Sequence, residues 1–397
     1  MAFGPSRGGT LLIVVGHDAS RTGAPRVLAS FLSWARRVHP AEPVELVLLR
    51  GGPLVAEYRS IQPTHVVHGA PRVVAGWAAA GGRAVGRPAL TDRLVRTADR
   101  VAVRRCRGAD SVLANTLASL PAAAAAVGAG TRLVCWVHEL DGVAARVLPG
   151  GPARDAAVCR VDRFLAAGPA VSDMLTDRWG VAADRVVLAE PFVDDVAVEA
   201  PSGAAPTEPD GAPLLLSVGA LGYRKGIDRF VDLLACWPDG PGAPRGRWVG
   251  GDLRSAVAAE ARTDIEAAGL GARVELIDTV GDAGPHLGAA RVVVSVARED
   301  PFPLTVLEAG LRGVPVVGTD AGGLGHILAA AGRPGSIVAP GDLLALRRLI
   351  DDLLADPVRA RADGEALRNW VRATHLTDHL APTVWAAVRH PGPGAGA

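Results

Sequence analysis

The 397-residue sequence predicts an α/β protein of two doubly wound, parallel-sheet domains facing a cleft. Three observations predict it. Short β-branched runs alternate with longer amphipathic stretches along nearly the whole chain, as parallel strands returned by crossover helices do. The alternation breaks once, over Val196–Pro213, where Pro, Ala and Gly replace apolar periodicity and the chain reads as a linker. The length, at roughly 150 residues per domain, fits two or three domains with substantial cores.

The elements follow in order. Leu11–Val15 reads as a buried strand, and Ala24–Val38 places Val27, Leu28, Phe31, Leu32, Ala35 and Val38 on one helix face. Further strands are expected at Val44–Leu49, Ser111–Ala114, Leu133–Val137 and Arg163–Ala167, all within a Rossmann-like first domain, residues 1–195. After the linker (196–213) a second series opens at Leu214–Val218. It continues through Arg247–Val249, Val274–Ile277, Val292–Val296, Val314–Val317 and Ser336–Val338, giving a second Rossmann-like domain over 214–370. A C-terminal helix over 371–390, able to cross back to the first domain, and a disordered tail at 391–397 complete the chain. In such open sheets, ligands bind beyond the C-terminal strand ends.

Composition excludes several function classes. Forty-two basic residues against forty-one acidic ones leave a net charge of +1, so no global field is present to hold nucleic acid. Four widely spaced cysteines (Cys106, Cys135, Cys159, Cys236) form no CxxC pair and read as buried, inert thiols in a reducing compartment. The run Leu11–Val15 is too short for a signal-peptide core, and Ser111–Thr131 is broken by Asn115, Pro121 and Gly128. A cytoplasmic protein without a transmembrane segment is expected, with peripheral membrane contact left open. Only one lysine occurs, Lys225, in a chain whose other basic residues are arginine.

Four segments carry candidate chemistry. In His17-Asp-Ala-Ser-Arg-Thr-Gly-Ala-Pro25, Gly23 permits a tight turn and Pro25 suits a first helical turn, so backbone N–H groups can face an anion. A plain strand-to-helix turn explains this segment equally well. In Leu214–Asp228, Arg224 and Lys225 sit where a helix begins; two cations there repel its positive end unless an anion is bound. In Arg298–Val317, Pro301 and Pro303 fix an extended turn between Asp300 and Glu308, carboxylates able to accept hydrogen bonds from ligand hydroxyls. Helix capping accounts for Glu308 alone but not for the flanked Pro-Phe-Pro turn. His138, beside Glu139 at the end of an apolar strand, is either a satisfied structural residue or a ligand- or proton-handling group. Gly4–Gly8 matches GxSxG but precedes the first strand, and His375/His379 lack the intervening Glu of a zinc site and read as a helix surface. No Asp-x-Asp pair offers a local metal site.

These segments together resemble the retaining glycosyltransferases of family 4, which have the two-domain GT-B fold. The resemblance runs from the Gly23-Ala-Pro25 loop to the strand near Ser336. It is strongest in Asp300–Glu308 with the following Gly313-Val-Pro-Val-Val317 and Gly322-Gly323. It implies transfer of a sugar from a nucleotide-diphosphate sugar to an acceptor hydroxyl with retained configuration, needing no metal and no resident cofactor. The second domain would hold the donor and the first the acceptor. Lys225, helped by Arg224, would neutralise the leaving diphosphate, and Asp300 would stand at the first position of the family's Glu-x7-Glu motif and bind sugar hydroxyls. Backbone N–H groups of Phe302, Pro303's neighbour Leu304, and Thr305 would contact sugar and phosphate, with the Phe302–Thr305 segment including Pro303 forming the donor loop. Glu308 would hold the ribose, His138 would face the donor sugar, and Gly23 and Ala24 would lie near the diphosphate and acceptor. The chain departs from the pattern at Asp300 (commonly Glu), at Ala220 near a common Arg, and at His326 where Gly-Gly-x-x-Glu members have Glu. A polysaccharide, a lipid-linked glycan and a secondary metabolite are all compatible acceptors. Two other readings are a nucleotide-sugar epimerase of the same fold and a non-catalytic sugar- or nucleotide-binding protein.

Overall fold

The computed structural model describes residues 10–67, 103–195 and 211–389. These fall into two compact units. The first takes the described residues up to Ala167, then Val171–Ala189 and the residues from Leu380 on; the second takes Gly168–Ala170 and Glu190–His379.

The first unit carries a seven-stranded parallel sheet in the order β3-β2-β1-β4-β5-β6-β7. Its strands are β1 (Leu12–Gly16), β2 (Val44–Leu48), β3 (Thr64–Val66), β4 (Ser111–Asn115), β5 (Arg132–Val137), β6 (Arg163–Ala166) and β7 (Val186–Leu188). β1 and β4 are buried at every residue, because a parallel sheet flanked by helices on both faces has no solvated side. Register is fixed across the centre by Gly16 opposite Asn115 and Asn115 opposite Trp136. The helix Gly23–Val38 turns Val27, Leu28, Phe31 and Leu32 inward, and Phe31 packs edge-on to Trp136. A fully buried side chain of this size contributes roughly 1.5–3 kcal/mol.

The second unit carries a six-stranded parallel sheet in the order β10-β9-β8-β11-β12-β13. Its strands are β8 (Leu214–Val218), β9 (Arg245–Val249), β10 (Val274–Ile277), β11 (Val292–Ser295), β12 (Val316–Thr319) and β13 (Ile337–Val338). Phe230, Leu234, Trp248, Val292, Val294 and Ile350 form the heart of its core.

Two expectations are corrected. The stretch read as one helix over 371–390 is the end of Pro357–Thr374 followed by Thr377–Arg389. The break falls where the carbonyl of His375 and the amide of Thr377 pair with Val193 instead of continuing a helix. Within the first unit, Trp385 of the last helix stacks on His39 at 4.4 Å and lies near Phe31 and Trp34. The thiols are not uniformly buried: Cys106 and Cys135 are, Cys159 is exposed and Cys236 half-buried, all four free. Most of the linker and the tail at 391–397 lie outside the described residues. Among the described residues no helix is long and apolar enough to cross a membrane.

Candidate functional site

In the second unit, strand order reverses between β8 and β11, so their C-terminal loops diverge and leave a crevice at that switch point. The loop after β8 carries Arg224 and Lys225; the loop after β11 carries Arg298, Glu299 and Asp300. The ammonium of Lys225 makes an ion pair with Oδ2 of Asp300, both largely shielded from solvent. The two loops are stitched further. Arg224 Nη1 donates to the carbonyl of Glu299 at 2.8 Å, and the amide of Arg298 donates to the carbonyl of Arg224 at 2.8 Å. Arg298 grips both carboxylate oxygens of Asp228 at 2.8 and 2.5 Å while lying 3.7 Å over the ring of Tyr223. Its hydrogen bond holds Asp228 below the ordinary carboxylate range.

Two glycines permit this approach. Gly226 has φ +81°, and a Cβ there would lie 2.3 Å from the carbonyl oxygen of Val296. A Cβ on Gly323 would lie 2.1 Å from the carbonyl oxygen of Pro301. The Gly323 amide donates to Asp300 O at 2.8 Å and the Asp300 amide to Ala321 O at 2.9 Å, which seats the acidic turn on the loop after β12.

The helix after this turn is Leu304–Leu311, with Pro303 at its N-cap and no side chain closing its first turn. Phe302, Pro303 and Leu304 are buried and Thr305 is half-buried. Glu308 is the helix's fifth residue, in its second turn, not at its start. It and Asp300 are each 8% exposed, an uncommon setting for carboxylates that calls for partners or a ligand. The residues expected for donor binding, Arg224, Lys225, Asp300, Phe302, Pro303, Leu304, Thr305 and Glu308, thus come from two adjacent loops and the helix that follows the second. Composition pointed to the lysine, but not to its pairing with Asp300.

In the first unit, the order reverses between β1 and β4, and His17, Thr116 and His138 follow β1, β4 and β5. Nδ1 of His17 lies 3.1 Å from Thr116 Oγ1, and its Nε2 lies 3.3 Å from Asp18 Oδ2. Asn115 Nδ2 donates to the carbonyl of Ala24 at 3.4 Å, bringing the Gly23-Ala24 turn to the same strand ends. Thr116 holds φ at +101°, the one positive value at a non-glycine among the described residues. His138 Nε2 is buried without a hydrogen-bond partner. Burial, reinforced by His17, pushes the His138 imidazole down to about 3, so the ring is neutral near pH 7 and can bind a hydroxyl but supplies no charge. Glu139 accepts the amides of Leu117 and His138; burial nevertheless pushes its carboxyl up to about 7.

Gly23, Ala24 and His138 therefore gather in one cluster, and the remaining expected residues in another, one cluster per unit. Sequence reasoning passed over Asn115, Thr116, Asp228 and Glu190. His375 is corrected: it is buried, not on a helix surface, and bonds Glu190 Oε2 at 3.1 Å. Among the described residues no group of three or more His, Cys, Asp or Glu is arranged to hold a metal ion.

Residues 202–373 match the family model for glycosyl transferases group 1. That stretch contains Lys225, Asp300 and Glu308. The lipopolysaccharide core biosynthesis mannosyltransferase LpcC of Rhizobium leguminosarum bv. viciae is 32% identical over 191 residues, which is 47% of this chain and 53% of that protein. LpsB of Rhizobium meliloti (strain 1021), with the same description, is 34% identical over 133 residues, 32% of this chain and 37% of that protein. The chain thus spans about half or less of the curated relatives it matches. The crystal structure of Anabaena Alr3699/HepE in complex with UDP and glucose superposes with a TM-score of 0.75 at 17% identity, over 96% of this chain and 99% of that one. The fold is GT-B.

Proposed function

We propose that this chain is a retaining glycosyltransferase of family 4, moving a hexose from a nucleotide-diphosphate sugar to an acceptor hydroxyl. The observation that carries the reading is the Lys225–Asp300 ion pair at the β8/β11 switch point, with Glu308 buried in the adjoining helix. A cation able to meet a diphosphate and a carboxylate able to meet sugar hydroxyls stand side by side. The family match over 202–373 supports it.

In the proposed reaction the bond between the sugar C1 and the diphosphate oxygen breaks. The acceptor oxygen bonds C1 on the same face, and its proton passes to the leaving phosphate. Lys225, aided by Arg224, stabilises the charge that develops on that phosphate without a metal. Asp300 orients sugar hydroxyls once the donor draws Lys225 toward its phosphates, the Phe302–Thr305 segment contacts sugar and phosphate through backbone amides, and Glu308 holds the ribose. In the first unit, His138 binds a sugar hydroxyl as a neutral imidazole, and Gly23 and Ala24 offer backbone amides. Because LpcC and LpsB are described as mannosyltransferases of lipopolysaccharide core, mannose and a lipid-linked glycan acceptor are the first substrates to try.

The test is incubation of GDP-mannose, UDP-glucose and UDP-galactose with lipid-linked core acceptors in excess EDTA, with the product's anomeric configuration read by NMR. Transfer with retained configuration supports the reading. Inversion, or turnover only with added divalent metal, refutes it; interconversion of donors without acceptor reveals an epimerase.

A further inference from the structure

Glu190 is the first residue of the second unit after Ala189, and its carboxylate lies between two imidazoles. Oε1 is 2.8 Å from Nε2 of His326, and Oε2 is 3.1 Å from Nε2 of His375. Burial pushes the Glu190 carboxyl up, but the hydrogen bond and charge of His375, then those of His326, outweigh this and hold it below its ordinary range.

Each imidazole leads to the acidic turn. His375 is fixed at its other nitrogen by Thr374 Oγ1 at 2.7 Å, and its ring stacks on Phe302 with centroids 5.4 Å apart and planes 18° apart. Trp370 packs on the same ring at 4.2 Å. His326 lies on the helix Gly323–Ala330, whose first residue donates its amide to the carbonyl of Asp300. Glu190 therefore holds the turn that bears Asp300 and Phe302 from two directions. The backbone around it is also tied down, by the Val193–His375 and Thr377–Val193 hydrogen bonds and by Thr377 Oγ1 to Asp194 at 2.7 Å. A partly buried ion pair is a costly way to fill space, and apolar side chains of similar volume often serve stability as well or better. What the charged arrangement adds is direction at His375, whose hydrogen bond to the carboxylate fixes the ring in a way an apolar contact does not, and a charge contact that holds His326 beside the same carboxylate.

We infer that Glu190 is a positioning residue for the Asp300–Glu308 turn, acting through His375 on Phe302 and through His326 on the helix that abuts Asp300. Donor affinity then depends on a residue that touches no donor atom. This rests on reading that turn as the donor site, so the test has one arm that does not need the reading.

That arm is hydrogen exchange of ligand-free protein. Glu190→Gln is expected to raise exchange at amides 300–306 at least severalfold while leaving the β9 amides as in wild type. The second arm measures nucleoside-diphosphate Kd and, with a donor sugar, KM and kcat. Glu190→Gln and His375→Ala should each weaken Kd and KM about tenfold with kcat within about threefold, the scale of a misplaced binding group. His375→Phe, which retains a ring against Phe302, should recover most of that loss. Unchanged exchange in Glu190→Gln overturns the positioning role whatever the ligand proves to be. Increased exchange with no nucleoside diphosphate bound by wild type overturns the donor reading and the donor half of this inference. His375→Phe no better than His375→Ala removes the Phe302 stack from it.

Discussion

Lys225 and Asp300 divide one task at the residue scale. Each neutralises the other in the ion pair; under the proposed reading an arriving diphosphate would take the lysine and free the carboxylate for hydroxyls. If Lys225 meets the leaving group and Glu308 orients the donor as proposed, Lys225→Ala and Glu308→Ala should each reduce transfer at least ~100-fold, measured as steady-state kcat/KM. Asp300→Asn should mainly weaken donor use, seen as a raised donor KM. In the first unit, His138 and Glu139 make a pH prediction of opposite signs. His138, pushed down to about 3, contributes stability fully present above about 6.5 and lost as pH falls toward 3. Glu139, pushed up to about 7, acts the other way: the folded state keeps a proton that the unfolded chain releases, so stability grows as pH falls from 7 toward 4.5. The two slopes oppose each other between pH 6.5 and 4.5. Thermal melts should show Glu139→Gln losing on the order of 1 kcal/mol per pH unit through that window, and His138→Gln gaining. The lysine was legible in the sequence because one lysine stands among arginines. Glu190 was not, because a lone glutamate beside a proline has no local signature and its two histidines lie 136 and 185 residues further on.

Turns, more than strands, place the site at the scale of elements. Gly323 lets the loop after β12 lie against Pro301, and adding a methyl there forces the acidic turn outward. Gly323→Ala should cost about 1–3 kcal/mol and weaken nucleotide binding, as read by melting and titration. Gly271→Ala, where a Cβ meets nothing within 4 Å, should do neither. The central strands were legible to within a residue or two because burial on both faces demands unbroken apolar runs. The edge strands β3 and β7 were not, since three partly exposed residues each leave little pattern. The helix expected over 371–390 starts at Thr377 instead, for a related reason. Its apolar spacing continues across His375-Leu376, whereas the backbone there is diverted by a hydrogen-bonded bridge to Val193, 183 residues away from Leu376. Periodicity carries no information about such a partner.

Two doubly wound sheets, each with candidate side chains at its own switch point, would let a chain of net charge +1 hold an anion under the proposed reading, at the scale of the whole molecule. The field is local, set by one lysine and neighbouring arginines at loop ends, and needs no basic surface. Under the proposed reading, nucleoside diphosphate should bind through Lys225 and without a cation bridge. The direct measurement is a thermal-shift panel of UDP, GDP, ADP and dTDP in EDTA on wild type and Lys225→Ala. A nucleotide at 100 times its Kd adds ~2.7 kcal/mol of stability. The prediction is a clear shift of wild type with one nucleotide, abolished in Lys225→Ala. No shift with any of the four, or an equal shift in the variant, would contradict the donor site placed at Lys225 and Asp300.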